Sequence, residues 1–333
     1  MRFNYYFIFN NNSYVKTANP QKDIWDYFLK ISDVPFLKRT WPETKIETIK
    51  KVSTHIKQAY EYYISSRNVT LLTKPVLIYY SLHNLTKAFI ELRGNEDDLN
   101  YHGLCNCEIG ETILETKAYA NDGVFQSLAK CFNYEFDKKE ELLITDFIYN
   151  TVEGNKLLVD YYGLNSNFIN VRWKGNYEGT VELELINWKN ITDSYDNLSE
   201  IIINNTKLLN DFELFEENEK VCLRSKEKQQ GSEMNKLANS LANKYCVYKI
   251  NEEEPNWINI MKSDKKFCPS LGYYGISYIL SSVVRYNPEA VEKYIKIPET
   301  SNEFFINKLL EYCERILPNL YINKITNMNL IYG

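Results

Sequence analysis

"KPVLIYYSLHNLTKAFIEL" runs from Lys74 to Leu92, and its periodicity decides how the chain folds. At about 100° per residue, Ile78, Leu82, Leu85, Ala88, Phe89 and Leu92 fall on one side of a helix. Tyr80, His83, Asn84, Lys87 and Glu91 fall on the other. Pro75 suits the first turn, where its missing N–H has no helical partner to lose. Taken alone, the polar side reads as an ordinary solvated face.

A second stretch changes that weighting. In "SLGYYGISYILSSVVRY", Ser270 to Tyr286, the residues Tyr274, Tyr278, Ser281, Ser282 and Arg285 share one helical face. The two stretches repeat one order, Tyr80-x-x-His83-Asn84-x-x-Lys87 and Tyr278-x-x-Ser281-Ser282-x-x-Arg285. Each offers a phenol, two small polar groups and a cation within two turns. If the faces meet, they form a polar cleft with two cations, suited to a phosphate or a carboxylate. The alternative is a buried structural hydrogen-bond network. The candidate ligand-binding residues are therefore Tyr80, His83, Asn84, Lys87, His102, Tyr278, Ser281, Ser282 and Arg285. No catalytic residue is assigned.

Working outward, the fold expected is mainly α (α+β): a helical bundle with a small central antiparallel β insertion. One short helix is expected around "KDIWDYFLKI" in an otherwise irregular arm over 1–40. A long helix follows from Trp41 to Arg67, capped by Thr40 with Pro42 in its first turn. His55 is placed on its exposed side. "GNEDDLNYHGLCNCEIGETI" reads as a polar connection, and "VFQSLAKCF" as a helix. Over about 143–190 the periodicity changes, and "KLLVDYYGL", "NFINVRWKG" and "GTVELELINW" read as antiparallel strands. "NLSEIIINNTKLLNDFELF" returns to helix, a charged segment follows, and "PEAVEKYI" and "SNEFFINKLLEYCERILPNLY" add two helices, the second capped by Ser301. The regions expected are an N-terminal helical part (1–142), the insertion (143–190) and a C-terminal helical part (191–333) packing on the first as one composite domain.

The 333 residues are 44% hydrophobic and 25% charged, enough for a sizeable core. A net charge of −5 argues against coating nucleic acid through bulk charge, although a local basic groove remains compatible with it. Seven scattered Cys with no regular spacing, no signal-peptide core and no membrane-length apolar run point to a cytoplasmic protein with reduced thiols. His102-x-x-Cys105-x-Cys107 lacks the further ligands of a closed zinc site, so no metal and no cofactor is expected. Glu182 and Glu184, with Asp160 and Lys189, read as solvent-facing carboxylates rather than a metal-dependent nuclease core. Phosphate-loop, dinucleotide and nucleophile-elbow signatures are absent from the sequence.

"KPVLIYYSLHNLTKAFI", "HGL" at His102–Leu104 with "NDGVFQSL", and "YILSSVVRYNPEAVEKYI" with "ILPNLYINKI" resemble the YaaC-like family of bacterial proteins. The resemblance spans about Trp25 to Ile325 and implies a bacterial, cytosolic, mostly helical protein, with no catalytic residues to carry over. More remotely, the helical pattern is similar to HEPN-type bundles, which include toxin and phage-defence ribonucleases. Their Arg-then-His motif is missing: Arg67 lies too far before His83, and Arg93 too far before His102.

Two readings of function stay open, and with them the question of enzymatic activity. One is an effector acting on RNA or a nucleotide in stress or phage defence through the cationic cleft. The other is a non-catalytic protein-interaction or ligand-sensing protein. The partners implied are an anionic ligand (nucleotide or RNA), a protein partner or a second copy of the chain, and no membrane.

Overall fold

Local stop and start signals set most of the element boundaries. The computed structural model describes residues 12–94, 99–176, 178–217, 219–245, 256–260, 265–287, 289–290, 294, 302–326 and 329–332. In chain order the elements are β1 (Asn12–Val15), α1 (Pro20–Ile31), α2 (Val34–Thr40), α3 (Ile46–Ser66) and α4 (Lys74–Leu92). Then come β2 (His102–Glu108), β3 (Lys117–Gly123), α5 (Val124–Cys131), β4 (Glu141–Leu143), α6 (Ile144–Tyr149) and α7 (Val152–Tyr162). β5 (Phe168–Gly175), β6 (Val181–Ile186), α8 (Tyr195–Asn205), β7 (Phe212–Glu217), β8 (Lys220–Ser225), α9 (Ser232–Lys244) and β9 (Asn256–Asn259) follow. The chain closes with α10 (Pro269–Tyr286), α11 (Asn302–Thr326) and β10 (Asn329–Tyr332). The fold is mainly α, with small antiparallel sheets.

The chain divides into two compact units. The first comprises 17–154 and 267–327 and holds the helices α1–α6, α10 and α11 with the sheet β2-β3-β4. Here α4 packs on α3, α10, α11 and α5, so almost its whole circumference is covered. Trp25 of α1 stacks on Tyr63 of α3 at 4.4 Å and donates its indole N–H to the Glu314 carbonyl of α11 at 3.0 Å. Phe89 of α4 stacks on Tyr321 at 5.0 Å, and the Tyr321 hydroxyl shares a proton with Thr86 at 2.9 Å. Each pair ties α11 to a different helix and satisfies the polar atom it buries.

The second unit comprises 1–16, 155–266 and 328–333. Its five-stranded antiparallel sheet has the order β7-β8-β6-β5-β9. Alternation sends Val171, Trp173, Leu183, Leu185 and Leu223 to one face, where Leu198 and Ile202 of α8 and Leu237 and Leu241 of α9 belong to the same core. On the other face Glu184 is surrounded by Lys174, Arg172 at 3.6 Å and Lys220 at 3.3 Å. β1 and β10 form a separate parallel pair.

Several expectations need correction. "KLLVDYYGL" is helical in α7, and Gly163 at φ +63° ends it, its N–H bonded to the Val159 carbonyl at 3.0 Å. The glycine read as a strand boundary is a left-handed helix stop. Asp160 therefore lies on a helix. "HGLCNCE" is strand β2 instead of a polar connection, and "FELFEE" is strand β7 instead of helix. The sheet extends well beyond 143–190 because β8 and β9 complete it. The N-terminal arm holds two helices, the second capped by Asp33, whose carboxylate accepts from Phe36 N at 3.1 Å. Thr40 ends that helix, and α3 starts at Ile46 with Lys45 in the cap position. The Ser301 cap and most of "PEAVEKYI" lie outside the described residues.

Glycines let α10 approach α6. A Cβ on Gly275 would stand 2.2 Å from the Phe147 ring, and one on Gly272 would stand 2.8 Å from the Phe147 carbonyl oxygen. Gly275→Ala should therefore lower stability by about 1–3 kcal/mol through overpacking, read from urea unfolding midpoints. An unchanged midpoint would mean that the two helices have room to spare.

Candidate functional site

α4 presents its polar side to α10 and β2 rather than to solvent. His83 is only 5% exposed, so this face is not the solvated one expected of an isolated amphipathic helix. Tyr80, Asn84, Lys87, His102 and Arg285 are half-buried, and Ser281 and Ser282 are buried. All these residues belong to the first unit.

Arg285, at the end of α10, bridges to α4. Its guanidinium donates to the Tyr80 hydroxyl at 3.2 Å, the Ser282 hydroxyl at 3.2 Å and the Ser281 carbonyl at 3.4 Å. It also lies 5.7 Å from the ring centres of Tyr79 and Tyr80 and 4.9 Å from that of Tyr286. Tyr62 of α3 stacks on Tyr80 at 5.7 Å. Tyr62 and Tyr286 are exposed, so a row of flat π groups begins and ends at the surface. The hydroxyl of Ser281 is buried and has no hydrogen-bond partner among the described residues.

Behind the arginine sits a hydroxyl and imidazole cluster. The Tyr79 hydroxyl lies 2.7 Å from His102 Nδ1, 3.4 Å from His83 Nδ1 and 3.3 Å from the Tyr274 hydroxyl. The Tyr274 hydroxyl donates to the His102 carbonyl at 3.1 Å and lies 2.9 Å from His83 Nδ1. The His83 and His102 rings are 5.0 Å apart, and Tyr278 packs 6.0 Å from His102. His55 of α3 completes the group, its Nδ1 lying 3.2 Å from Asn84 Oδ1. His55 is half-buried here, not on the exposed side expected for it. The chain has three histidines, and all three meet in this region.

Backbone geometry places His102. Gly103 (φ +80°) and Gly123 (φ +130°) lie where β2 crosses β3, and a Cβ there would come within 2.4 Å of Phe125 N and 2.5 Å of the Tyr101 carbonyl oxygen. Only glycine permits that approach.

The electrostatics follow from burial and from the two cations. Burial first, then Lys87, His102, His55 and Arg285, hold His83 well below the ordinary histidine range. Burial, then Arg285 and Lys87, lower His102. Burial also lowers His55, and Lys87 adds to it against the hydrogen bond that His55 gives to Asn84. Tyr79 and Tyr274 are pushed well above the usual phenol value by burial, and Tyr278 up to about 12 for the same reason. At neutral pH the cluster thus holds neutral imidazoles and neutral phenols beside cationic groups.

The chain matches the family described as YaaC-like Protein over residues 13–325. It belongs to the YaaC-like family. Neither a curated protein nor a solved structure matches it, so the remote likeness to HEPN-type bundles has no solved structure behind it. In this YaaC-like protein Tyr80, His83, His102, Tyr278, Ser282 and Arg285 and the Ser281 carbonyl meet between α4, β2 and α10, whereas Asn84 turns to His55 of α3 and Lys87 acts on the histidines through its charge. Tyr79 and His55 were missed, and Tyr274 was placed on the α10 face but left out of the set. The signal for Tyr79 was its position one turn before His83. Among the described residues no group of three or more His, Cys, Asp or Glu could share a metal ion, and no helix is long and apolar enough to cross a membrane.

The buried histidines predict a pH dependence. The unfolded chain takes up protons at about pH 6.5, and the folded chain resists until a lower pH. The folded-state values are depressed, so this contribution to stability is complete above about pH 6.5 and declines as the pH falls toward them. Urea midpoints between about pH 7.5 and 5.5 should fall accordingly, and His83→Gln should flatten the slope. A wild-type midpoint that does not change with pH would contradict it.

Proposed function

We propose that this protein recognises the phosphate of a nucleotide or of RNA at the cluster between α4 and α10, as a ligand-binding effector. The observation that carries the reading is the company Arg285 keeps. Among the described residues its partners are hydroxyls, a carbonyl and aromatic rings, with no carboxylate. A half-buried guanidinium held by neutral groups retains its full charge and its planar donors for an incoming anion. Lys87 acts electrostatically on the same histidines, so the second cation of the paired helical faces reinforces the first.

The row of rings supports the nucleotide part of the reading. Tyr62, Tyr80 and Tyr286 flank the guanidinium, with the outer rings exposed. Bases stack on such surfaces with little regard to sequence. The competing reading, a protein-interaction surface, draws on the same exposed tyrosines. It gives no reason for cations and neutral imidazoles to be gathered behind them.

Titration of the full chain with AMP and a short oligoribonucleotide tests this. Arg285→Ala should weaken binding by about 10- to 100-fold, the worth of a charge-assisted hydrogen bond, while the thermal unfolding transition stays close to that of the wild type. Undiminished binding by Arg285→Ala defeats the proposal. So does the absence of binding to the wild type, or outright unfolding of the variant.

A further inference from the structure

The Tyr79 hydroxyl connects two histidines, and counting its protons assigns a role to one of them. The Tyr274 hydroxyl has a single proton and gives it to the His102 carbonyl, which can only accept. His83 Nδ1, at 2.9 Å from the same oxygen, must therefore be the donor in that pair. His83 is thus neutral with its proton on Nδ1. Tyr274 still has a lone pair free.

His102 is in a different position. Its Nδ1 is engaged by the Tyr79 hydroxyl at 2.7 Å, and among the described residues its Nε2 has no hydrogen-bond partner. When His102 is neutral, the Tyr79 O–H can donate to Nδ1. When His102 carries two protons, Nδ1–H donates to the Tyr79 oxygen, and the Tyr79 proton turns to the free lone pair of Tyr274 at 3.3 Å. Both protonation states keep the bond between Tyr79 and His102 Nδ1, because a hydroxyl can reverse its direction, and in both the Nε2–H has no partner among the described residues. His83 keeps its Nδ1–H on Tyr274 in either state, but a second proton would sit on Nε2 of a ring that is only 5% exposed.

Resting on the proposed phosphate site, we propose that His102 takes up a proton when an anion docks at Arg285, and that the imidazolium becomes a further contact to that anion. The proton comes from solvent and sits on the ring, with Tyr79 receiving Nδ1–H and Nε2–H left for the ligand. The groups facing His102 are Tyr79, Tyr80, His83 and Lys87 from α4, and Tyr274, Tyr278 and Arg285 from α10. From β3 it faces Gly123, which has no side chain to titrate. No carboxylate among the described residues acts on it. In the empty site the nearby cations oppose a further charge. An anion reverses that opposition, and the proton follows.

Calorimetric titration of the full chain with sulfate, which does not titrate between pH 6 and 8, provides the test. Measurements in two buffers of different ionisation enthalpy should show uptake of up to about one proton per sulfate, with affinity rising by as much as about tenfold per pH unit as the pH falls. His102→Gln should lose that uptake. Sulfate binding without proton uptake, or uptake that survives His102→Gln, overturns this inference and leaves the Arg285 reading standing. If the wild type binds no sulfate, or Arg285→Ala binds it undiminished, both fall.

Discussion

A guanidinium held by neutral oxygens and aromatic rings is the constraint around which the chemistry of the α4–α10 cluster is arranged. Arg285 reaches from the last turn of α10 to the Tyr80 hydroxyl of α4 and lies against three rings. Its charge is not cancelled where it sits, so the groups behind it must tolerate a positive field. Imidazoles do so by giving up their protons, and the buried phenols keep theirs because burial outweighs the pull of the cation. Burial is the first cause of the neutrality of His83, His102, Tyr79 and Tyr274, and Arg285 adds to it for the two histidines.

Glycines hold that arrangement in place. Gly103 and Gly123 let two strands cross closely enough to deliver His102 to α4, and Gly272 and Gly275 let α10 lie against α6. These contacts are backbone to backbone or backbone to ring, with little ability to relax. The cluster is therefore supported on one side by a strand crossing and on the other by a close helix pair. A displacement of either by the width of a methyl group would separate hydroxyls that now meet at 2.7–3.4 Å.

The helices that form the site were legible in the sequence, because a polar stripe at helical spacing recurs on α4 and α10 in the same order. That repetition brought Lys87 and Arg285 into one argument although they are far apart in the chain. What was not legible depended on neighbours. Tyr79 looked like a core residue beside Tyr80, and its hydroxyl gained meaning only once His102 arrived from a strand. His55 looked exposed because its own helix could not reveal that α4 covers it. The strands over 102–108 and 212–217 were missed for a related reason. Their polar residues lie on half-buried surfaces, and cross-strand pairing rather than local propensity makes them strands. Gly163 misled in the opposite direction, since a glycine after two tyrosines bounds a strand or stops a helix with equal ease.

The same cluster can be weighed as pure scaffold. Scaffold roles are filled elsewhere in this unit by compact pairs: Thr86 with Tyr321, Ser53 with the Ser32 carbonyl, Ser81 with the Ala59 carbonyl. Each satisfies its buried hydroxyl with neutral partners, Thr86 bonding the Leu82 carbonyl as well, and brings no charge. The α4–α10 cluster instead holds the Arg285 guanidinium, which meets no carboxylate among the described residues, together with depressed imidazoles and a buried Ser281 hydroxyl that has no hydrogen-bond partner among those residues. Desolvating charge without an opposing partner works against stability, and apolar residues of similar volume would hold two helices together at least as well. The cost makes physical sense if the missing partner is an anion that comes and goes. An anion supplies opposite charge, accepts from the guanidinium, and turns the nearby imidazole from a neutral donor into a charged one.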